Sequence, residues 1–151
     1  MVDVKTNLLD PELEAIELFY FAYRAFTALP DAILAERGLA RMHHRILYFV
    51  ARKPRQRVSD LLVTLGVSKQ AVHAPLKQLV EAGLIAVEPD AEDGRVKRLS
   101  LTPEGAELET RLSQTQRELL GTVFAGHGGT AEDDWRGIMR ELAGRVRKGQ
   151  A

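Results

Sequence analysis

A mostly helical chain carrying one small β-hairpin is the fold class the sequence predicts, on three observations. Two short amphipathic segments, one stopping at Gly66 and the next opening at Ser68, are joined by a tight turn containing glycine, the pattern of a helix-turn-helix. Residues 84–88 (LIAVE) and 96–101 (VKRLSL) are β-prone runs joined by a polar loop containing Asp93-Gly94, the pattern of a hairpin. Asp10-Pro11-Glu12 and Thr102-Pro103-Glu104 each set a capping side chain, a proline at the first helical position and an acid near the positive end of the helix dipole, so each opens a helix.

The elements follow in order. After Asp10, Leu13, Ile16, Phe19, Tyr20, Tyr23 and Phe26 to Leu29 recur at helical spacing, with more apolar surface than one buried stripe needs, so a partner is expected on a second side. Pro30-Asp31 is expected to break this helix and to start a short one, residues 31–36, ending near Gly38. Residues 40–52 (ARMHHRILYFVAR) place Met42, Ile46, Phe49 and Val50 on one helical face, and Lys53-Pro54 ends it. Val58-Ser59-Asp60 then opens a short helix with Leu61, Leu62 and Leu65 inward and Gly66 as its stop.

The stretch SKQAVHAPLKQLVEAGL, residues 68–84, reads as an amphipathic helix capped by Ser68, with Val72, Leu76, Leu79, Val80 and Gly83 on the core face. Lys69, Gln70, His73, Lys77 and Gln78 face away, side chains able to bond base edges and phosphates. Pro75 stands inside it, where a missing N–H and a crowding ring cost about 3 kcal/mol. Two readings stay open: a helix bent at Pro75 and held by its apolar face, or a helix that begins later, near Ala74. The hairpin that follows carries Arg95, Lys97 and Arg98 on its tip and return strand, so it reads as a basic wing beside the helix-turn-helix. Beyond it, Leu108, Leu112, Leu119, Leu120 and Val123 mark a long helix broken by GHGG at residues 126–129. Thr130 with Asp133 suggests a capping box for a last helix through Trp135, Ile138, Met139, Leu142 and Val146. The terminal helices belong to no evident single core with the middle segment, and are expected to pack on a second copy of themselves.

Charge follows this division. The chain is neutral, yet residues 37–100 hold 12 Lys and Arg against 6 Asp and Glu, and the remainder holds 9 against 15. A basic middle between acidic ends suggests a module for a polyanion. The absence of cysteine excludes disulfides, a thiol nucleophile and thiolate zinc sites. His43 and His44 are neighbours on one helix, about 100° apart, which does not suit chelation of one ion, and His127 reads as a solvated loop residue. No phosphate-binding loop, dinucleotide fingerprint or hydrolase motif occurs, so neither an enzyme nor a metal or cofactor is expected. No apolar run reaches the length of a membrane span, and the N-terminus lacks the pattern of a secretory signal, so the expected compartment is the cytoplasm.

The phrase LVEAGLI after the second helix of the pair, D-x-x-D-G-R-V-K from Asp90 to Lys97 and L-T-P-E-G from Leu101 to Gly105, in this order of elements, resemble the MarR family of bacterial transcription regulators. The likeness is strongest over about residues 35–110. It implies a winged helix-turn-helix fold with N- and C-terminal dimerisation helices, divided into 1–36, 37–102 and 103–151. It further implies a homodimer on double-stranded operator DNA, with recognition helices in adjacent major grooves and wings reaching the minor groove. Matched residue by residue, Arg95 is the arginine for the minor groove, with Asp93 holding it, and Ser68, Lys69, Gln70 and His73 fall at base- and phosphate-facing positions. Arg57, Ser59, Lys77, Lys97 and Arg98 complete the expected DNA-binding set. Ala74, where many members carry a basic residue, and Pro75 depart from the family pattern.

The same resemblance implies a small aromatic or anionic effector between the dimer helices and the winged module. Tyr20, Tyr23, Arg24, His43, His44 and Arg45 lie in the segments that would line its pocket, where packing in core and dimer is the competing role for each. The expected function is a sequence-specific DNA-binding regulator, a repressor released by its effector. The alternative is a winged-helix protein-interaction module whose basic face meets an acidic partner.

Overall fold

The computed structural model describes residues 10–146; the outermost residues of both terminal segments lie outside them. Helix α1 (Pro11–Ala35) is followed by α2 (Arg41–Arg52), strand β1 (Gln56–Arg57), α3 (Val58–Leu65), α4 (Lys69–Glu81), β2 (Ile85–Pro89), β3 (Lys97–Leu101), α5 (Pro103–Ala125) and α6 (Ala131–Ala143). The strands form one antiparallel sheet in the order β1-β3-β2, with Val87 opposite Leu99 and Glu88 opposite Arg98.

Helix α1 does not break at Pro30. The carbonyl that this proline leaves without a donor belongs to Phe26, four residues back, and the Gln116 side-chain amide of α5 donates to it at 3.3 Å. Pro30 itself is buried, so the irregular turn is enclosed by its neighbours. The expected short helix at residues 31–36 is therefore the last turn of α1.

One core joins α1 to α5 and the sheet among the described residues. Leu34 of α1, Ile46, Leu47 and Val50 of α2, Leu61 of α3, Val72 and Leu79 of α4, Ile85 and Leu99 of the sheet, and Leu108 and Leu112 of α5 are all fully or nearly fully buried together. The expectation that the terminal helices share no core with the middle segment is thus corrected: one end of α1 and the first half of α5 close it. Their remaining faces are apolar and open, with Ile16, Phe19, Tyr20 and Leu29 of α1 exposed, and Ile138, Leu142 and Val146 exposed on and just beyond α6. Helix α6 buries no residue, and its Trp135 meets Phe124 of α5 edge to face.

Turn chemistry fixes the helix-turn-helix. Gly66 takes the left-handed conformation (φ 66°) that ends α3, and Ser68 caps α4 by accepting the Ala71 N–H at 3.2 Å. Helix α4 starts at Lys69 and continues through Pro75, which removes the reading in which it begins near Ala74. Its buried stripe is narrower than expected. Val72 and Leu79 are buried, but Val80, about 100° around from Leu79, remains 37% exposed.

Strand β1 has no counterpart in the sequence reading, because two residues show no alternation. It is held by Gln56, a buried side chain that donates to the carbonyls of Phe49 (2.7 Å) and Lys53 (3.0 Å) and so satisfies the end of α2. The expected capping box at Thr130 is absent: its hydroxyl donates to Asp134 Oδ2 at 2.7 Å and makes no cap hydrogen bond to the backbone.

Candidate nucleic-acid interface

Two basic features project from the winged module. On α4, Lys69, His73 and Lys77 are spaced four apart, so they form one stripe, exposed on the side away from the buried Val72 and Leu79. Gln70 is exposed next to this stripe. The Ser68 hydroxyl is used as the helix cap but keeps its own proton to donate outward.

The second feature is the wing. Asp93 accepts the Arg95 N–H at 3.0 Å and stands 3.7 Å from the Arg95 guanidinium, while Lys97 reaches back to the Gly94 carbonyl at 3.2 Å. The Arg95 side chain is 96% exposed, so at the tip it is aimed outward and only loosely tethered. Arg57 and Ser59, at the start of α3, are exposed as well, with the Arg57 N–H donating to Asp60.

Arg98 behaves differently from its expected neighbours in the set. Its guanidinium binds Asp90 at 2.9 Å and the Arg55 carbonyl at 3.2 Å, and its side chain is only 24% exposed. It is a strut inside the wing, not a free outward cation. Asp90 is the centre of that strut, accepting also from the backbone N–H groups of Glu92 (3.3 Å) and Asp93 (3.2 Å). Arg55, in the left-handed region at φ 63°, presents its carbonyl to Arg98 and its own guanidinium to Glu88 at 3.0 Å. In the sequence, Asp90 is marked only as the start of the D-x-x-D-G-R-V-K motif and given no role; an aspartate that turns the chain by accepting N–H groups two and three residues on was the available signal.

The hydrogen bond from Arg98, followed by those from the Asp93 and Glu92 backbone, holds the Asp90 carboxyl below the ordinary carboxylate range. A carboxylate favoured by the fold adds stability that is complete above its unfolded pKa and is lost as pH falls through the lower folded value. Asp90→Asn is therefore expected to unfold at lower urea than the parent at pH 7, with the gap closing at a pH acid enough to protonate the Asp90 carboxylate. Urea midpoints at both pH values check this; a gap independent of pH would contradict it.

The residues expected around an effector are divided by the structure. Tyr23 accepts a hydrogen bond from Arg45 at 2.9 Å and lies under Arg41, whose guanidinium is 5.4 Å from the ring and 2.9 Å from Asp31. Tyr20 and Arg24 are exposed on α1, 6.0 Å apart as a cation over a ring. His43 is buried and bonded at both ring nitrogens, to the Ala40 N–H and to Gln78. His44 has a pKa lowered by burial, against the raising effects of Glu109 and Asp31. An open groove lies beside this cluster, lined by Asp31, Leu39, Ala40, Arg41 and Met42. A further polar junction was not anticipated: Glu109, buried on α5, binds Arg52 of α2 at 3.0 Å and accepts from Ser113 at 2.5 Å. No group of three or more His, Cys, Asp or Glu suited to a metal occurs among the described residues. No helix among them is long and apolar enough to cross a membrane.

A helix-turn-helix pair followed by a basic antiparallel wing defines a winged helix-turn-helix protein. Residues 37–96 match the profile of the MarR family. The transcriptional regulator PetP of Rhodobacter capsulatus is 37% identical over 136 residues, 89% of this chain and 82% of that protein. Among solved structures, FabT of Streptococcus pneumoniae in complex with DNA superimposes with a TM-score of 0.79 at 15% identity, covering 87% of this chain and 94% of that one. MarR of Staphylococcus aureus in complex with salicylate and kanamycin gives 0.73 at 25% identity, covering 87% and 89%. The chain belongs to the MarR family, whose members are transcription regulators and not enzymes.

Proposed function

We propose that this protein is a homodimeric repressor that reads a pseudo-palindromic DNA site through α4 and the wing and is released by a small aromatic or anionic effector. The observation that carries the reading is the pairing of an exposed basic stripe on a capped helix with an outward arginine on a rigid turn. Lys69, Gln70, His73 and Lys77 are assigned to the major groove and its phosphates. Arg95, held by Asp93, is assigned to the minor groove, where narrow A·T-rich segments concentrate negative potential. Arg57, Ser59 and Lys97 are assigned to flanking phosphates, and Arg98 is withdrawn from the contact set because its guanidinium is engaged inside the wing.

The open apolar faces of α1 and α6 support dimerisation through the terminal segments. Tyr23, Arg45 and Arg41 beside the Asp31 groove support an effector with an aromatic ring or an anionic group. Such a ligand releases DNA by binding the DNA-incompetent dimer more tightly. A DNA partner places the protein in the cytoplasm. The test is selection of bound duplexes from a random pool by the purified protein. The expected result is a two-fold symmetric site with half-sites about one helical turn apart. Absence of any enriched sequence at moderate salt would favour an acidic protein partner for the basic face instead.

A further inference from the structure

We infer that His43 is a positioning residue for DNA reading, which sets the second half of α4 through Gln78. The inference rests on the DNA-binding function proposed above and adds to it a residue that touches no DNA. Its ring geometry is fully determined. Nδ1 accepts the Ala40 N–H at 2.9 Å, so it carries a lone pair and the ring proton sits on Nε2. Nε2 then donates to Gln78 Oε1 at 2.6 Å, across from α2 to α4. The ring is buried, with 7% of the residue exposed, while Gln78 reaches it from the exposed face of α4, so the bond is shielded from the His43 side.

Pro75 makes this bond matter to α4. A proline offers no N–H to the Ala71 carbonyl, so one of the backbone bonds that would join the first half of the helix to the second is absent. Lys69, Gln70 and His73 precede that gap, while Lys77, also assigned to the DNA, follows it next to Gln78, so the two groups depend on separate supports. The second half is gripped from outside by Leu76 and Leu79, whose apolar contacts are non-directional. The His43–Gln78 bond is directional, and so fixes rotation as well as position. The same ring caps α2 at Ala40, which lies in the wall of the Asp31 groove, so a shift of that wall reaches α4 through one side chain.

The test cuts the bond from each end in the full-length protein while sparing the α2 cap. Gln78→Leu removes the acceptor and keeps bulk. His43→Asn keeps an oxygen where Nδ1 stands, able to accept the Ala40 N–H, and has nothing at the Nε2 position. Affinity is measured for the selected operator and for a random duplex of equal length, across a series of salt concentrations. Each variant is expected to lose about fivefold to tenfold in operator affinity, the size of one net hydrogen bond, with random-duplex affinity and salt slope unchanged. The double variant is expected to lose no more than either single one, because both cut the same bond.

A 15N spectrum of the ring gives an independent readout: wild type shows the Nε2–H tautomer, and Gln78→Leu shifts the Nε2 resonance. Operator affinity unchanged in His43→Asn, losses equal on both duplexes, or additive losses in the double variant would each overturn the assignment. Failure of the wild type itself to discriminate operator from random duplex would refute the DNA-reading function instead, and is seen before any variant is made.

Discussion

Arg95→Ala is expected to lower operator affinity by about tenfold to a hundredfold, with the preference for A·T pairs beneath the wing largely lost. The magnitude lies within what one good arginine contact gives, about 1–3 kcal/mol, at about tenfold per 1.4 kcal/mol. The argument lies in the local structure. The turn at Asp93–Gly94 and the Asp90–Arg98 strut hold the wing backbone, while Arg95 itself is bound only by a 3.7 Å pairing to Asp93. Removing its side chain therefore subtracts a contact without loosening the wing, and the thermal midpoint is expected to stay near that of the parent. Anisotropy titrations on duplexes that differ only in A·T or G·C pairs at the wing positions check both claims. Equal affinity of parent and variant on the A·T duplex would remove Arg95 from the interface. Arg98→Ala provides the contrast, since its loss opens the wing and lowers the stability of the protein as well as its affinity.

The largest expected effect on stability is that of Gly105→Ala. Gly105 lies in the first turn of α5, and a β-carbon built there would stand 1.9 Å from the Leu84 carbonyl oxygen and 2.9 Å from its carbon. Both obstacles are backbone, so no rotamer change relieves them. Leu84 is held in place on several sides: its carbonyl accepts the Thr102 N–H at 3.1 Å, its N–H bonds Leu79 at 3.0 Å, and its side chain is in the core. Helix α5 must then move off the sheet or β2 off its helix, and overpacking of this kind costs about 3 kcal/mol or more. In a chain of this size that lowers the thermal midpoint by about 6–12 °C, read at fixed protein concentration so that the proposed dimerisation is held constant. A midpoint within a degree or two of the parent would show that α5 and β2 do not meet as closely as described.

Much of this architecture was legible in the sequence because the signals were local. The caps at Asp10, Ser68 and Thr102 and the stop at Gly66 act through bonds within four residues, and each is found where the residue type demands it. What stayed hidden depends on residues far apart. Pro30 was expected to end a helix because proline ends helices when nothing replaces the lost donor, and the replacement comes from Gln116. The wing tip could be read from Asp93-Gly94-Arg95, but the inward turn of Arg98 could not, since an arginine on a return strand has the same appearance whether it faces solvent or the half-buried carboxylate of Asp90. His43 was placed among effector residues on chain position alone. Its two bonds, one to the start of its own helix and one to α4, belong to the packing angle between α2 and α4, which no spacing in the sequence reports.

The dependence of α1 on Gln116 has a consequence for the order in which the chain is made. The acceptor and its donor are 90 residues apart. At synthesis rates of about 5–20 residues per second, the turn at Pro30 waits on the order of 5 to 20 seconds on the ribosome before its missing donor exists. During that interval the Phe26 carbonyl has only water to bond, and the apolar face around Pro30 has no α5 to cover it. The first helix of the protein is thus among the last to be finished.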